Sequence, residues 1–465
     1  MPPLPRLALA TSATDTEPSL ASLALLGALA QLGWRVQHFR SWACPLNTQV
    51  IGPISGLPGR HLDPWLMPPD VCRALFTRGA RGADLALVEG IRGEFMTPPD
   101  SPACVAHALC DRHGELGPLI DCLDLPLVVV VDCRGWNEHH LPFIPPEAEA
   151  VILDGVDGLE QGEALRASIR MILGIPVLGM LADHSQLRQA LTELPTGHTI
   201  PTDWVQALAD QFAQRADFEA IRGLAESRPA PCSECCEHSA ISCHGVSARN
   251  LRVAYAMDDA FGGYFPDTLE TLELLGAKLF EFSPLSDEDL PKAVDLVMIG
   301  CGFPDLHAER LSSNHSLIAA LRAHVCGHGG IYTEGGGTAY LCRSMIFDGR
   351  QIPGAGIFPI DAELQRPHSW PEPVVRTLCN DGWLGSKGTV VRGYRSNRWV
   401  LTPSPDPHDC NATSGPLTAQ NDIVFRKRAV GSLIHLHLAA LPQVVSGFVG
   451  TARPASASLS SRILH

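Results

Sequence analysis

The sequence has no apolar run approaching the roughly 20 residues that a helix needs to cross a bilayer. Its longest such run centres on Val128–Val131. This excludes a membrane-spanning reading and makes a soluble, cytoplasmic protein the expectation. Positive charge is also scarce: Lys and Arg number 35 against 50 Asp and Glu, for a net charge of -15. Nucleic acid and anionic membranes repel such a surface, so neither is expected as a partner. The first residues, MPPLPRLALATSATDTEP, lack the basic region and long apolar segment of a signal peptide. Fifteen cysteines in 465 residues are too dilute for a disulfide scaffold and are expected as reduced thiols. Internal repeats are absent.

What is present is a two-part α/β pattern. Apolar, β-rich runs at Leu7–Ala10, Arg35–Phe39, Asp84–Glu89, Leu127–Asp132, Ala150–Asp154 and Pro176–Met180 alternate with amphipathic stretches. Strands alternating with helices predict a parallel sheet covered on both faces. Trp204–Ala225 reads as one closing helix. Arg228–Ser247, rich in Pro, Ser and Cys and without periodicity, reads as a linker. A second α/β unit begins at Arg252, with a helix at Pro266–Leu275, strands AKLFEFS and DLVMIG, and a helix through Ala319–His324. The residues after Ala452 read as a frayed tail.

The run Ile331–Leu341, IYTEGGGTAYL, is a strand, an acid, three glycines and a helix start. That is the pattern of a nucleophile elbow, a turn tight enough to need flanking glycines. Acyl transfer from glutamine requires a thiolate on such a turn, an imidazole, and N–H donors for the oxyanion. The imidazole candidate is His435, in the strand-like run Gly431–Leu438. Glu334 is the acid beside the elbow, and Gly300–Asp305 is the candidate oxyanion turn. The slot for the nucleophile itself is Gly335, which has no side chain.

In this order the pieces resemble the class I glutamine amidotransferase domain that ends the cobyrinic acid a,c-diamide synthase family. The resemblance extends to Asp258–Phe261, Tyr264–Pro266, Leu269–Gly276, Phe282–Leu285 and Asp305–Leu311. In the first half it covers Arg60–Trp65, Asp84–Gly90, Leu127–Gly135 and Gly174–Gly179. It implies a P-loop-NTPase-like parallel-sheet domain followed by a flavodoxin-like amidotransferase domain. The corresponding bounds are 1–227 for a ligase domain, 228–248 for a Cys-rich linker, 249–450 for the amidotransferase-like domain and 451–465 for a disordered tail. The family reaction it implies belongs to cobalamin biosynthesis. Ammonia released from glutamine would displace phosphate from ATP-activated acetate carboxylates of a corrinoid, with Mg2+. A homodimer is also implied.

This sequence departs from that pattern at the nucleophile and the phosphate loop, and is mixed elsewhere. Cys301 falls in the oxyanion turn, where the family has glycine, and reads as a small buried thiol. Cys342 is expected about two turns into the helix after the elbow. His435 then reads as a leftover packing histidine. The phosphate loop aligns with Thr11–Leu20. There Pro18 takes the lysine slot, while Asp15 and Glu17 take glycine slots, leaving Ser12 and Ser19 as phosphate-side hydroxyls. Like charges at ~4 Å cost about 1 to 4 kcal/mol each, so this loop repels polyphosphate. Thr16–Ser19 reads instead as a helix start, with an acid and a proline in the first turn. Glu89, the acid that helps hold Mg2+ in the family, is retained. Asp63 and Asp132 are also kept, with a solvated strand-end carboxylate as the alternative reading for Glu89 and Asp132. A later acid gives way to Met96, two more to Cys44 and Asn47, and a His-Glu-Phe-His motif corresponds to about Tyr394–Asn397.

The linker holds Cys232, Cys235, Cys236, His238 and Cys243, enough soft ligands for tetrahedral Zn2+ but without two separated ligand pairs. Three functions follow as expectations. The first is a pseudoenzyme kept as a scaffold or as a binder of a corrinoid or other tetrapyrrole. The second is an amide ligase using free ammonia and a divergent nucleotide site. The third is a metal or redox protein acting through the linker cysteines.

Overall fold

The computed structural model describes residues 4–11, 19–42, 48–91, 114–134, 144–193, 199–229, 247–365, 371–378, 385–403 and 422–452. Ser12, Asp15, Glu17 and Pro18 lie outside the described residues, as do Cys232, Cys235, Cys236, His238 and Cys243. The chain forms two compact units, the first built on one sheet and the second on a six-stranded main sheet with three smaller ones.

The first unit is built on seven strands: β1 (Arg6–Thr11), β2 (Val36–Arg40), β3 (Arg60–His61), β4 (Leu85–Ile91), β5 (Leu127–Asp132), β6 (Ala150–Val156) and β7 (Val177–Ala182). Their order is β3-β2-β4-β1-β5-β6-β7, and every pairing is parallel. A run such as LVVVVD in β5 has branched apolar residues on both faces, which suits a strand covered on both sides. The helix α1 (Leu20–Gln31) is apolar all round, LASLALLGALAQ, and Leu20–Leu29 are all buried in the core. Its first helical residue is Leu20, with Ser19 as N-cap accepting from the Ser22 N–H at 3.1 Å. The helix therefore starts later than the sequence suggested, and no acid sits in its first turn.

The single closing helix expected at Trp204–Ala225 is two helices, Thr202–Ala213 and Phe218–Ala225. Asp217 separates them. Its N–H is taken by the Leu178 carbonyl at 2.8 Å, and its side chain caps the second helix through the Ala220 N–H at 2.9 Å.

In the second unit, β8 (Arg252–Ala256), β9 (Phe261–Gly263), β10 (Lys278–Phe282), β11 (Leu296–Ile299), β12 (Cys301–Gly302) and β13 (Gly330–Glu334) precede the elbow. The main sheet runs β10-β8-β11-β13, then the strands Ala429–Ser432 and Ile423–Arg426, with only the last pairing antiparallel. The helix after the elbow spans only Gly336–Leu341, and Cys342 opens the strand Cys342–Phe347 instead of continuing it. The reason is local. The carbonyls of Tyr340, Leu341 and Cys342 accept from the N–H groups of Ala355, Ile357 and Gly356, at 2.7, 2.9 and 2.9 Å. With its carbonyls taken from outside, the helix cannot propagate. The closing helix Pro442–Ala452 runs two residues beyond the expected domain edge. Among the described residues no helix is long and apolar enough to cross a membrane.

Candidate functional site

Two polar clusters stand at the carboxyl ends of strands, one in each unit. In the first unit, Glu89 lies near the end of β4, opposite Leu9 of β1 and Arg40 of β2 in the parallel register. Side chains two apart on a strand share a face, so His38 and Arg40 both face Glu89. Oε2 of Glu89 is 2.8 Å from His38 Nε2 and 3.8 Å from an Arg40 guanidinium nitrogen. Oε1 accepts the Ser22 hydroxyl at 2.5 Å and the Ser19 N–H at 3.5 Å. Ser19 thus serves the helix cap and the acid. Burial pushes the Glu89 carboxyl up, but the His38 hydrogen bond and the Arg40 charge outweigh it and bring it down to about 2.

Asp132, at the end of β5, is similarly engaged. Arg134 folds back to donate to Oδ1 at 2.9 Å and to Oδ2 at 2.5 Å, and its N–H reaches Oδ1 at 3.0 Å. Burial raises this carboxyl and the Arg134 contacts lower it, with a net lowering. Asp63 is fully buried and accepts the Trp65 N–H at 2.9 Å, closing the turn after β3. Mg2+ needs carboxylate oxygens free to face it. Here both oxygens of buried Glu89 are already engaged within the protein, so Glu89 does not fit that ion, while Asp132 holds Arg134 at the half-exposed end of its strand. The sequence also contains no lysine before Lys278, so no residue of the first unit can offer an ammonium to a phosphate. That signal was readable from the sequence by counting.

In the second unit the elbow backbone is retained. Gly335 has φ 50° and ψ -115°, the strained turn on which such enzymes mount a nucleophile. A Cβ built there would lie 2.9 Å from His435 Cε1, 3.7 Å from its Nε2 and 3.5 Å from Cys301 Sγ. His435 therefore still faces the elbow, and Cys301, 134 residues earlier, stands beside both. Cys301 Sγ is 2.6 Å from His435 Nδ1 and 3.6 Å from Nε2. Glu334 Oε2 is 3.5 Å from the same Nδ1, while its Oε1 accepts the Tyr332 hydroxyl at 2.6 Å and the Leu436 N–H at 3.1 Å. Burial, with Glu334 adding to it, pushes the Tyr332 phenol far up, so it stays a donor.

Cys301 is buried, as the sequence suggested, and its thiol lies against the His435 ring. The antiparallel pairing of β12 with β9 sets it opposite Gly263, where any Cβ would come within 2.8 Å of its own. That close approach aims the thiol at the imidazole. His435 has a thiol partner in Cys301. Cys342 points away, its Sγ bonded to the Thr338 carbonyl at 3.3 Å. The thiol and the carboxylate both approach Nδ1. A proton relay needs them on opposite ring nitrogens, one to give up a proton and one to orient the ring.

A seven-stranded parallel sheet with α1 behind β1, followed by a unit carrying an amidotransferase elbow, defines a P-loop-NTPase-like domain joined to a class I glutamine amidotransferase-like domain. Residues 252–440 match the family model of the CobB/CobQ-like glutamine amidotransferase domain. A cobyrinate a,c-diamide synthase of Synechocystis sp. is 30% identical over 410 residues, covering 83% of this chain and 80% of its own. That of Syntrophotalea carbinolica is 27% identical, covering 97% and 99%. A hydrogenobyrinate a,c-diamide synthase of Streptomyces coelicolor is 27% identical, covering 97% and 98%. The chain belongs to the cobyrinate a,c-diamide synthase family.

Two outcomes follow from this geometry. Because the folded Glu89 carboxyl lies below its unfolded value of roughly 4.3, it binds fewer protons than the unfolded chain between those values. Its contribution, on the order of 3 kcal/mol, is present above pH ~4.5 and lost as the pH falls towards ~2. Urea midpoints against pH should show that dependence in the parent and lack it in Glu89→Gln. The second outcome concerns Gly335→Cys, which should not restore glutamine hydrolysis. It should cost about 1–3 kcal/mol, because the new side chain takes a strained backbone and meets the His435 ring. Ammonia release from glutamine by the folded variant would show instead that the ring yields.

Proposed function

We propose that this member of the family binds a corrinoid and has given up making amides on it. The observation that carries the reading is the engagement of buried Glu89 from within the protein, by the Arg40 guanidinium and a hydrogen bond with His38. A missing thiol alone leaves a ligase that takes ammonia from solution. A carboxylate already matched by an arginine does not attract Mg2+, and without that ion the carboxylate-activating step fails whatever the ammonia source. Gly335 at the elbow, the absence of any lysine before Lys278, and Arg134 on Asp132 point the same way. The corrinoid enters through the relatives, whose names give cobyrinate and hydrogenobyrinate as substrates.

The test is a titration of purified full-length protein with cobyrinic acid, followed by corrinoid absorbance. It is run beside assays for ADP release and amide formation with ATP, Mg2+, and either glutamine or ammonium. The expected result is saturable binding near one equivalent, with neither ADP nor amide formed. Amide formation with ammonium would establish the alternative, a ligase with a divergent nucleotide site. Absence of any spectral change would remove the corrinoid from the proposal.

A further inference from the structure

We infer that Cys301, Glu334 and His435 form a binding site for a thiophilic divalent cation of the Zn2+ type. Among the described residues these three alone bring together a thiol, a carboxylate and an imidazole with ligand atoms within 4.8 Å of one another. They come from three separate segments: β12, the end of β13, and the strand Ile434–His435. A soft thiolate, a borderline imidazole and one carboxylate oxygen suit Zn2+ and are poor ligands for Mg2+.

Convergence on one point separates this arrangement from a catalytic relay. Sγ and Oε2 both approach Nδ1, at 2.6 and 3.5 Å, the first closer than two ligands of one ion can lie. Around tetrahedral Zn2+, with bonds of about 2.3 Å to sulfur and 2.0 Å to nitrogen, those two atoms sit roughly 3.5 Å apart. Turning the Cys301 side chain outward by about 1 Å reaches that spacing. The carboxylate is already oriented for the task. Tyr332 and the Leu436 N–H both hold Oε1, leaving Oε2 directed at the ring, the kind of support that orients metal ligands elsewhere. All three residues are buried, at 1%, 8% and 1% exposure, so an ion here would be shielded from competing solvent ligands. Glycine at 335 matters as well. A cysteine nucleophile in that slot would crowd the same point, since its Cβ alone falls 3.5 Å from Cys301 Sγ. Binding deprotonates the thiol, and the proton leaves to solvent.

Cobalt(II) is the probe, because thiolate coordination gives it a near-ultraviolet charge-transfer band. The protein is full length with Cys232, Cys235, Cys236 and Cys243 changed to Ser, so that the Cys-rich stretch supplies no thiolate. The expected result is one equivalent of Co2+ with the thiolate band, displaced by one equivalent of Zn2+. Cys301→Ser should abolish the band, and Glu334→Gln should keep it while weakening affinity by ~10-fold or more. Removing the ion should lower the melting temperature of the parent and leave that of folded Cys301→Ser unchanged. Should Cys301→Ser fail to fold by circular dichroism, Glu334→Gln decides the matter: undiminished affinity overturns the proposal. Two other results also overturn it. One is a band that persists in folded Cys301→Ser. The other is stoichiometric alkylation of Cys301 by a glutamine-directed affinity reagent in Zn2+-saturated protein, which would make the thiol a displaced nucleophile. Neither corrinoid binding nor its absence bears on these readouts.

Discussion

Strand pairing in a fixed register is the constraint on which both polar clusters depend. When strands run the same way, their carboxyl ends gather along one edge, and whatever residues end them become neighbours. Glu89, Asp132 and Glu334 all lie at or near strand ends, and Glu89 and Glu334 meet partners that the register delivers. Arg40 stands opposite Glu89 because β2 and β4 pair in that register. Ser432 stands opposite Glu334, and that pairing places the following Ile434–His435 segment within reach of the elbow. The sheets are filled by branched apolar residues that fix the register by packing, so the polar residues at the ends have little freedom to rearrange.

Given that edge, the chemistry turns on how buried charge is compensated. A carboxylate withdrawn from water must find positive charge or hydrogen bonds, from a ligand or from the protein itself. For buried Glu89 of the first unit the protein supplies them, from His38, Arg40, Ser22 and Ser19. In the second unit compensation is incomplete in a different sense. Glu334 has donors on one oxygen, while its other oxygen, the Cys301 thiol and His435 converge on a single point.

Much of the fold was legible from local pattern. Six strands of the first sheet appear as apolar runs because strands buried on both faces need continuous branched residues, and their ends differ from the structure by only a residue or two. The helix Pro266–Leu274 was equally plain, with proline at its start. Local pattern failed where a distant segment intervened. Trp204–Ala225 splits because Leu178 takes the Asp217 N–H, and the elbow helix stops at Leu341 because Ala355–Ile357 claim its last carbonyls. No window of sequence contains those partners.

The same division holds for the site. By itself the sequence determined the family, the glycine in the nucleophile slot and the absence of lysine from the first unit, since these are matters of residue identity at aligned or countable positions. Only the tertiary structure decided what the surviving polar residues do. It joined Cys301 to His435 across 134 positions, turned Glu334 toward the same nitrogen, and set Arg40 and His38 against Glu89. The reason is physical. Sidedness and register in a sheet are set by the packing of the whole core, and a shift of one residue in either strand would send these side chains to the opposite face.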